Sequence, residues 1–162
     1  MPFSFSKLID SLDGFFSNAI ILSCLTSWFL SQLIKGIIAL LQIRKKSFRE
    51  IMETLFWRTG GMPSSHTAVV TSMTASLAFN EGLGSNLFAV SLFIALVVMR
   101  DAMGVRRAVG LQARAFNLLG KNSAEKLNIE FHPVKEIQGH APLEVIAGAL
   151  LGIFISAAYA WL

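Results

Sequence analysis

Apolar residues gather into four runs separated by polar segments of unequal charge. The first, residues 18–42, reads NAIILSCLTSWFLSQLIKGIIALLQ. It is long enough for a membrane helix, which needs about 20 mostly apolar residues. Gln32 and Lys35 interrupt it, and Lys35 either snorkels to the interface or faces the bundle interior. The second run, 64–80, is short and rich in Ser, Thr and Ala, a composition suited to close helix packing rather than lipid contact. The third, 86–105, is strongly apolar up to Met99, and its helical pattern continues past Arg100 into a polar stretch. The fourth, 141–162, carries Gly148 and Gly152 as a small-xxx-small packing face. This pattern predicts an all-α, multi-pass transmembrane helical bundle of about four spans with interfacial helices, forming one domain. From Gly120 to Pro133 the periodicity is poor, and a loop or a short interfacial helix is expected there.

Composition supports the membrane reading. The chain is 54% hydrophobic and only 15% charged, where a soluble domain carries about 25% charged residues. Cys24 is the single cysteine and lies inside an apolar run, which excludes an internal disulfide and argues against a thiolate metal site. Residues 1–18 contain Asp10 and Asp13 and lack a basic start or small-residue cleavage site, so no cleavable signal is expected.

The net charge of +4 does not imply nucleic acid, because the basic residues fall in loops between apolar runs. That placement points to lipid headgroups and topology. Arg44, Lys45, Lys46, Arg49 and Arg58 lie between the first two runs, and Arg100, Arg106, Arg107, Arg114, Lys121, Lys126 and Lys135 between the last two. The NEGLGS turn has no basic residue. The positive-inside rule then puts both basic loops in the cytoplasm and both termini outside. The expected location is the cell membrane, with the candidate site on the cytoplasmic side.

Two histidines fall at that side. The segment Gly60-Gly61-Met62-Pro63-Ser64-Ser65-His66 leads from a polar loop into an apolar helix. Glycines allow close backbone approach, Ser64 is a good N-cap, and the free N–H groups of a helix start attract anions. A capped membrane helix with an incidental histidine is the bland alternative. In EIQGHAPLE, His140 and Glu144 stand four apart and would share a helical face. A carboxylate on one imidazole nitrogen fixes the tautomer and makes the other a better nucleophile. A His–Glu pair that merely joins helices is the alternative. Arg100, Arg107 and Arg114 are spaced by seven and would line one face, serving either a phosphate site or a positive-inside anchor. Asp101 in this basic stretch favours an ion pair with an arginine; a divalent cation held with other acids is the other reading. His132 reads as a solvated loop residue.

The blocks TGGMPSSHTA, RDAMGVRRAVGLQA and KEIQGHAPLEV resemble those of the divergent PAP2 family, small membrane proteins related to type 2 phosphatidic acid phosphatases and vanadium-dependent haloperoxidases. The resemblance runs from about residue 32 to residue 152. It implies a PAP2-like bundle in which Pro63-Ser64-Ser65-His66 corresponds to a PSGH-type motif, with Ser65 in place of glycine. It also aligns Lys135, His140 and Glu144 with an arginine, a nucleophilic histidine and an aspartate. The parent family's first motif has no clean counterpart; Arg58 lies upstream but is not followed by proline, and the RDAMGVRR block is a candidate source of the missing cations.

The implied activity is hydrolysis of a lipid phosphate, of the prenyl phosphate or phosphatidic acid type, through a phosphohistidine. His140, His66 and Glu144 would be catalytic. Ser64, Ser65, Lys135, Arg58, Arg100, Arg106 and Arg107 would bind phosphate. No cofactor is expected, with a divalent metal near Asp101 left open. Membrane lipids and a lipid phosphate are the expected partners, and a homodimer is compatible with so small a bundle. The alternative is a non-catalytic protein that binds lipid phosphate on the same scaffold.

Overall fold

The computed structural model describes residues 5–42, 61–136 and 139–162. Arg58 and the basic residues 44–49 lie outside the described residues. The described chain forms six helices: α1 (Phe5–Phe16), α2 (Ala19–Gln42), α3 (Ser65–Glu81), α4 (Asn86–Met103), α5 (Val105–Leu127) and α6 (Pro142–Ala160).

Three stretches are long and apolar enough to cross a membrane: Ala19–Ile38 in α2, Asn86–Leu127 across α4 and α5, and Pro142–Ala160, which is α6. The expected second span is not among them. α3 has only 17 residues and is rich in hydroxyls. It is the central helix, packed against α2, α4 and α6, which surround its polar side chains with apolar helices. The protein is therefore an all-α membrane bundle built around a polar helix.

Burial is inverted relative to a soluble protein. Phe29, Phe93, Leu150 and Phe154 are exposed on the outside, while Ser23, Ser27, Ser31, Ser72 and Ser156 are completely or almost completely buried. Small polar residues let helices approach closely and bond across the interface, each bond stabilising by about 0.6 kcal/mol on average. Ser23 Oγ meets Ser76 Oγ at 2.7 Å, and Ser72 Oγ meets Ser156 Oγ at 3.0 Å. Lys35 Nζ donates to Ser65 Oγ at 3.0 Å. Ser23–Ser76 and Lys35–Ser65 make α2 antiparallel to α3. The bond from Ser64 N–H to the Glu144 carbonyl (2.9 Å), together with Ser72–Ser156, makes α6 parallel to α3.

The glycine pair of α6 permits this contact. A Cβ at Gly148 would strike the Ser64 carbonyl, and one at Gly152 would strike the Ala68 carbonyl and the Thr71 hydroxyl. The expected packing face is thus the α3–α6 seam.

Two expectations change on the membrane-surface side. The third apolar helix stops at Met103, and the chain turns at Gly104 into α5. Residues 120–127, expected as a loop or short helix, belong to the 23-residue α5, which ends at left-handed Asn128 (φ 52°). Its polar composition masks any span-like pattern, and no α5 residue is fully buried. Residues 129–136 then return along α5. Phe131 covers Gly120, and the Asn117 amide clasps Val134 by two 2.9 Å bonds, one to its N–H and one to its carbonyl.

Candidate functional site

Ser64 caps α3 as its sequence position implies. Its hydroxyl accepts from Thr67 N–H at 3.4 Å and from the Thr67 hydroxyl at 3.0 Å. Gly61 before it takes φ +95°, a conformation suited to glycine. The first-turn N–H groups of a helix lack intrahelical partners, so this end of α3 is an anion-attracting surface. Because α3 and α6 run parallel, the N-terminus of α6 lies beside it.

His140 sits just before that second N-terminus. It is held by its own N–H, which donates to the Ala102 carbonyl of α4 at 3.0 Å. Gly139 makes this possible, since a Cβ there would collide with the backbone of Arg107. The His140 side chain is only 4% exposed, and neither ring nitrogen has a hydrogen-bond partner among the described residues. Burial pushes its pKa below the ordinary value. Glu144 opposes that shift; Lys35, His66 and Arg106 reinforce it. Burial thus favours the neutral ring, whose lone pair has no partner among the described residues.

The expected His140–Glu144 pairing is corrected. The helix begins at Pro142, with Ala141 as its N-cap, so His140 is outside the helix and the four-residue spacing does not place the two on one face. The Glu144 carboxylate instead turns back and accepts from Ala141 N–H at 3.1 Å. It caps α6, and its charge reaches His140 through space only.

His66, the second residue of α3, is exposed. Arg106, Lys35 and Asp101 lie within electrostatic reach of it. The two histidines thus share a neighbourhood that includes Lys35 and Arg106. Asp101 pairs with Arg106 at 2.9 Å, in line with the favoured reading of that acid. Among the described residues there is no cluster of three or more His, Cys, Asp or Glu side chains suited to a metal.

Among the described residues, no hydrogen bond or ion pair joins the side chains of Arg100, Arg107 or Lys135 to either histidine. Arg100 is exposed at the end of α4 and lines a cleft of about 500 Å³ with Met103, Gly104, Val105 and Ala108. The Arg107 side chain is exposed, and its backbone supports Gly139. Arg114 bonds Glu136 at 3.3 Å, and with Asn117 it holds that carboxyl below the usual carboxylate range. The break at Gly104 therefore divides the arginines expected on a single face. Lys135 is exposed in the return segment, with no hydrogen bond or ion pair joining it to the site among the described residues. His132 is 82% exposed, as a loop residue should be.

The residue absent from the expected site is Lys35. It is 8% exposed and reaches Ser65, beside His66. Its interruption of an apolar run was the available signal, but the run could not show that its partner lies 30 positions away.

The model for the family described as "Divergent PAP2 family" matches residues 16–155. A relative from Bacillus subtilis (strain 168), named "Uncharacterized membrane protein YuiD", is 37% identical over 158 residues, covering 90% of this chain and 96% of the relative. No solved structure matches the chain.

Proposed function

The chain belongs to the divergent PAP2 family, and from that premise we propose that it is a membrane phosphatase acting on a lipid phosphate through a phosphohistidine. The observation that carries this reading is the buried imidazole of His140, without a hydrogen-bond partner among the described residues, beside two helix N-termini and two cations. A buried polar group without a partner is costly, and such groups concentrate where a ligand or reaction uses them.

In the proposed reaction, a neutral His140 nitrogen attacks phosphorus. A P–N bond forms as the P–O bond to the lipid breaks. His66, whose pKa is lowered by desolvation, Arg106 and Lys35, takes up a proton as the phosphate dianion binds and gives it to the departing lipid oxygen. A water then attacks phosphorus while neutral His66 accepts its proton. The P–N bond breaks, releasing inorganic phosphate and neutral His140. Lys35, Arg106, Ser64, Ser65 and the first-turn N–H groups of α3 hold the phosphoryl oxygens as charge develops. Lys35 joins Arg106 in the role expected of the basic residues, and Arg58 lies outside the described residues. Glu144 acts as an electrostatic counterweight to the phosphorylated ring rather than as its hydrogen-bond partner. The lipid tail remains against the apolar exterior, and the charge bias of the loops favours a cytoplasmic site.

The Glu144–Ala141 bond favours a second reading. Without a carboxylate on its ring, His140 has no fixed tautomer, as in a pocket that binds phosphate without turnover. Phosphate release from prenyl and glycerolipid phosphates by purified protein separates the two, with and without divalent metal. Release that disappears in both His66→Ala and His140→Ala supports the hydrolase. Full release by His140→Ala refutes the phosphohistidine. Lipid-phosphate binding by the folded protein without release leaves the binding reading standing.

A further inference from the structure

One face of α2 repeats a serine every turn, at Ser23, Ser27 and Ser31, followed by Lys35. All three serines are 0% exposed. Ser23 donates to the Ile20 carbonyl at 2.9 Å and Ser31 to the Trp28 carbonyl at 2.7 Å. This bond back onto the preceding turn is the ordinary arrangement for a serine in a membrane helix. Ser27 departs from it: its hydroxyl is buried and has no hydrogen-bond partner among the described residues.

The helix register identifies what lies opposite. Ser23 meets Ser76 and Lys35 meets Ser65, so Ser27 falls level with Ser72 on antiparallel α3. Ser72 Oγ is bonded to Ser156 Oγ of α6 at 3.0 Å, and Ser156 Oγ also bonds the Ser72 carbonyl at 2.6 Å. Ser156 Oγ also accepts from Ser76 Oγ at 3.1 Å, so its proton and both lone pairs are engaged, whereas the Ser72 hydroxyl keeps acceptor capacity.

We propose that a water molecule binds between α2 and α3 at Ser27, bridging its hydroxyl to the Ser72 hydroxyl. Buried waters make about three hydrogen bonds to polar groups that otherwise lack partners. The hydroxyls of Ser27 and Ser72 supply two of these, within the range of two to four found for buried waters. The site is separate from the histidine end, roughly 12 Å along α2 from Lys35 at 1.5 Å per residue. It stands whether or not the protein is a phosphatase. It would hydrate the centre of a bundle whose exterior is apolar and tie α2 to α3 at the level where Ser72 already holds α6.

Water-edited solid-state NMR tests this on the whole protein in lipid bilayers, using 13C-labelled serine. Exposed Ser17 and buried Ser91, which is bonded to its own helix at Phe88, serve as wet and dry references. Polarisation from water is expected to reach Ser27 at a rate near that of Ser17. Transfer as slow as at Ser91 overturns the proposal, including the case in which Ser27 turns onto its own helix. Ser27→Ala gives a second readout. Loss of the bridge lowers Tm by about 2–4 °C. An unchanged Tm, or the rise expected when a dry orphan hydroxyl is removed, also overturns it. The NMR measurement uses the unsubstituted chain, so it stands even where Ser27→Ala fails to fold.

Discussion

Replacing Gly152 with alanine puts a methyl group into the α3–α6 seam. That Cβ would overlap the Ala68 carbonyl oxygen and the Thr71 hydroxyl and come within 2.8 Å of the Ser72 amide nitrogen. Two of these atoms are backbone. The third belongs to a buried threonine already bonded to the Thr67 carbonyl at 2.7 Å. None can move without shifting α3. Overpacking of this kind costs about 1–3 kcal/mol. Alanine's higher helix propensity returns up to about 1 kcal/mol. The steric effect wins, leaving a net destabilisation of roughly 1–2 kcal/mol. For a chain of this size that is a Tm decrease of about 2–8 °C. The assay is thermal unfolding of purified protein in one detergent, with Gly84→Ala as the control, because nothing lies within 4 Å of a Cβ at Gly84. The control is expected to keep or raise Tm. A Gly152→Ala protein as stable as wild type would refute the close seam and the parallel α3–α6 register built on it.

Further outcomes follow from the site. Lys35→Met is expected to weaken lipid-phosphate binding about 30-fold, the equivalent of one charge-assisted hydrogen bond of about 2 kcal/mol, without loss of thermal stability. Unchanged affinity in a titration would remove Lys35 from the site. The depressed pKa of His140 makes the unfolded chain bind the extra proton first, so stability is present above about pH 6.5 and declines as pH falls below it. Tm measured from pH 7.5 to 5.5 should fall, and His140→Gln should flatten that slope; an equally steep slope in the variant would assign the effect elsewhere. Single cysteines at Gly84 and Lys121, in a Cys24→Ser background, should react with a membrane-impermeant reagent from opposite sides of the membrane. Labelling of both from the same side would overturn the expected orientation.

What the sequence disclosed follows the range of each signal. The Ser64 cap and the Gly148–Gly152 face are local patterns, and both take their expected places. Glu144 failed as a partner of His140 because the four-residue rule requires helix at both positions, whereas Pro142 delays the helix start. α5 was legible only in part, because its stability against residues 129–136 comes from the Asn117 clasp and the Phe131 cover, neither of which leaves a period in the sequence. Lys35 was visible as an anomaly but not as a site residue, since only the antiparallel register of α2 and α3 gives it Ser65. Asp101 had an arginine-rich neighbourhood to choose from, and the turn at Gly104 selects Arg106.

The hydroxyl-rich α3 also sets an order for assembly. Lipid alone offers nothing to Ser72, Ser76 or Thr71, whose cross-helix partners lie on α2 and α6. α2 precedes α3 in the chain, but α6 follows it only after two further helices. A nascent chain that has reached the turn at Gly82 therefore holds a helix whose polar face is half matched until α6 arrives. The same late helix brings His140 to the edge of α3. Maturation of the bundle and completion of its candidate site are thus one event, and a chain arrested before α6 would lack both the partners of α3 and the neighbourhood of His140.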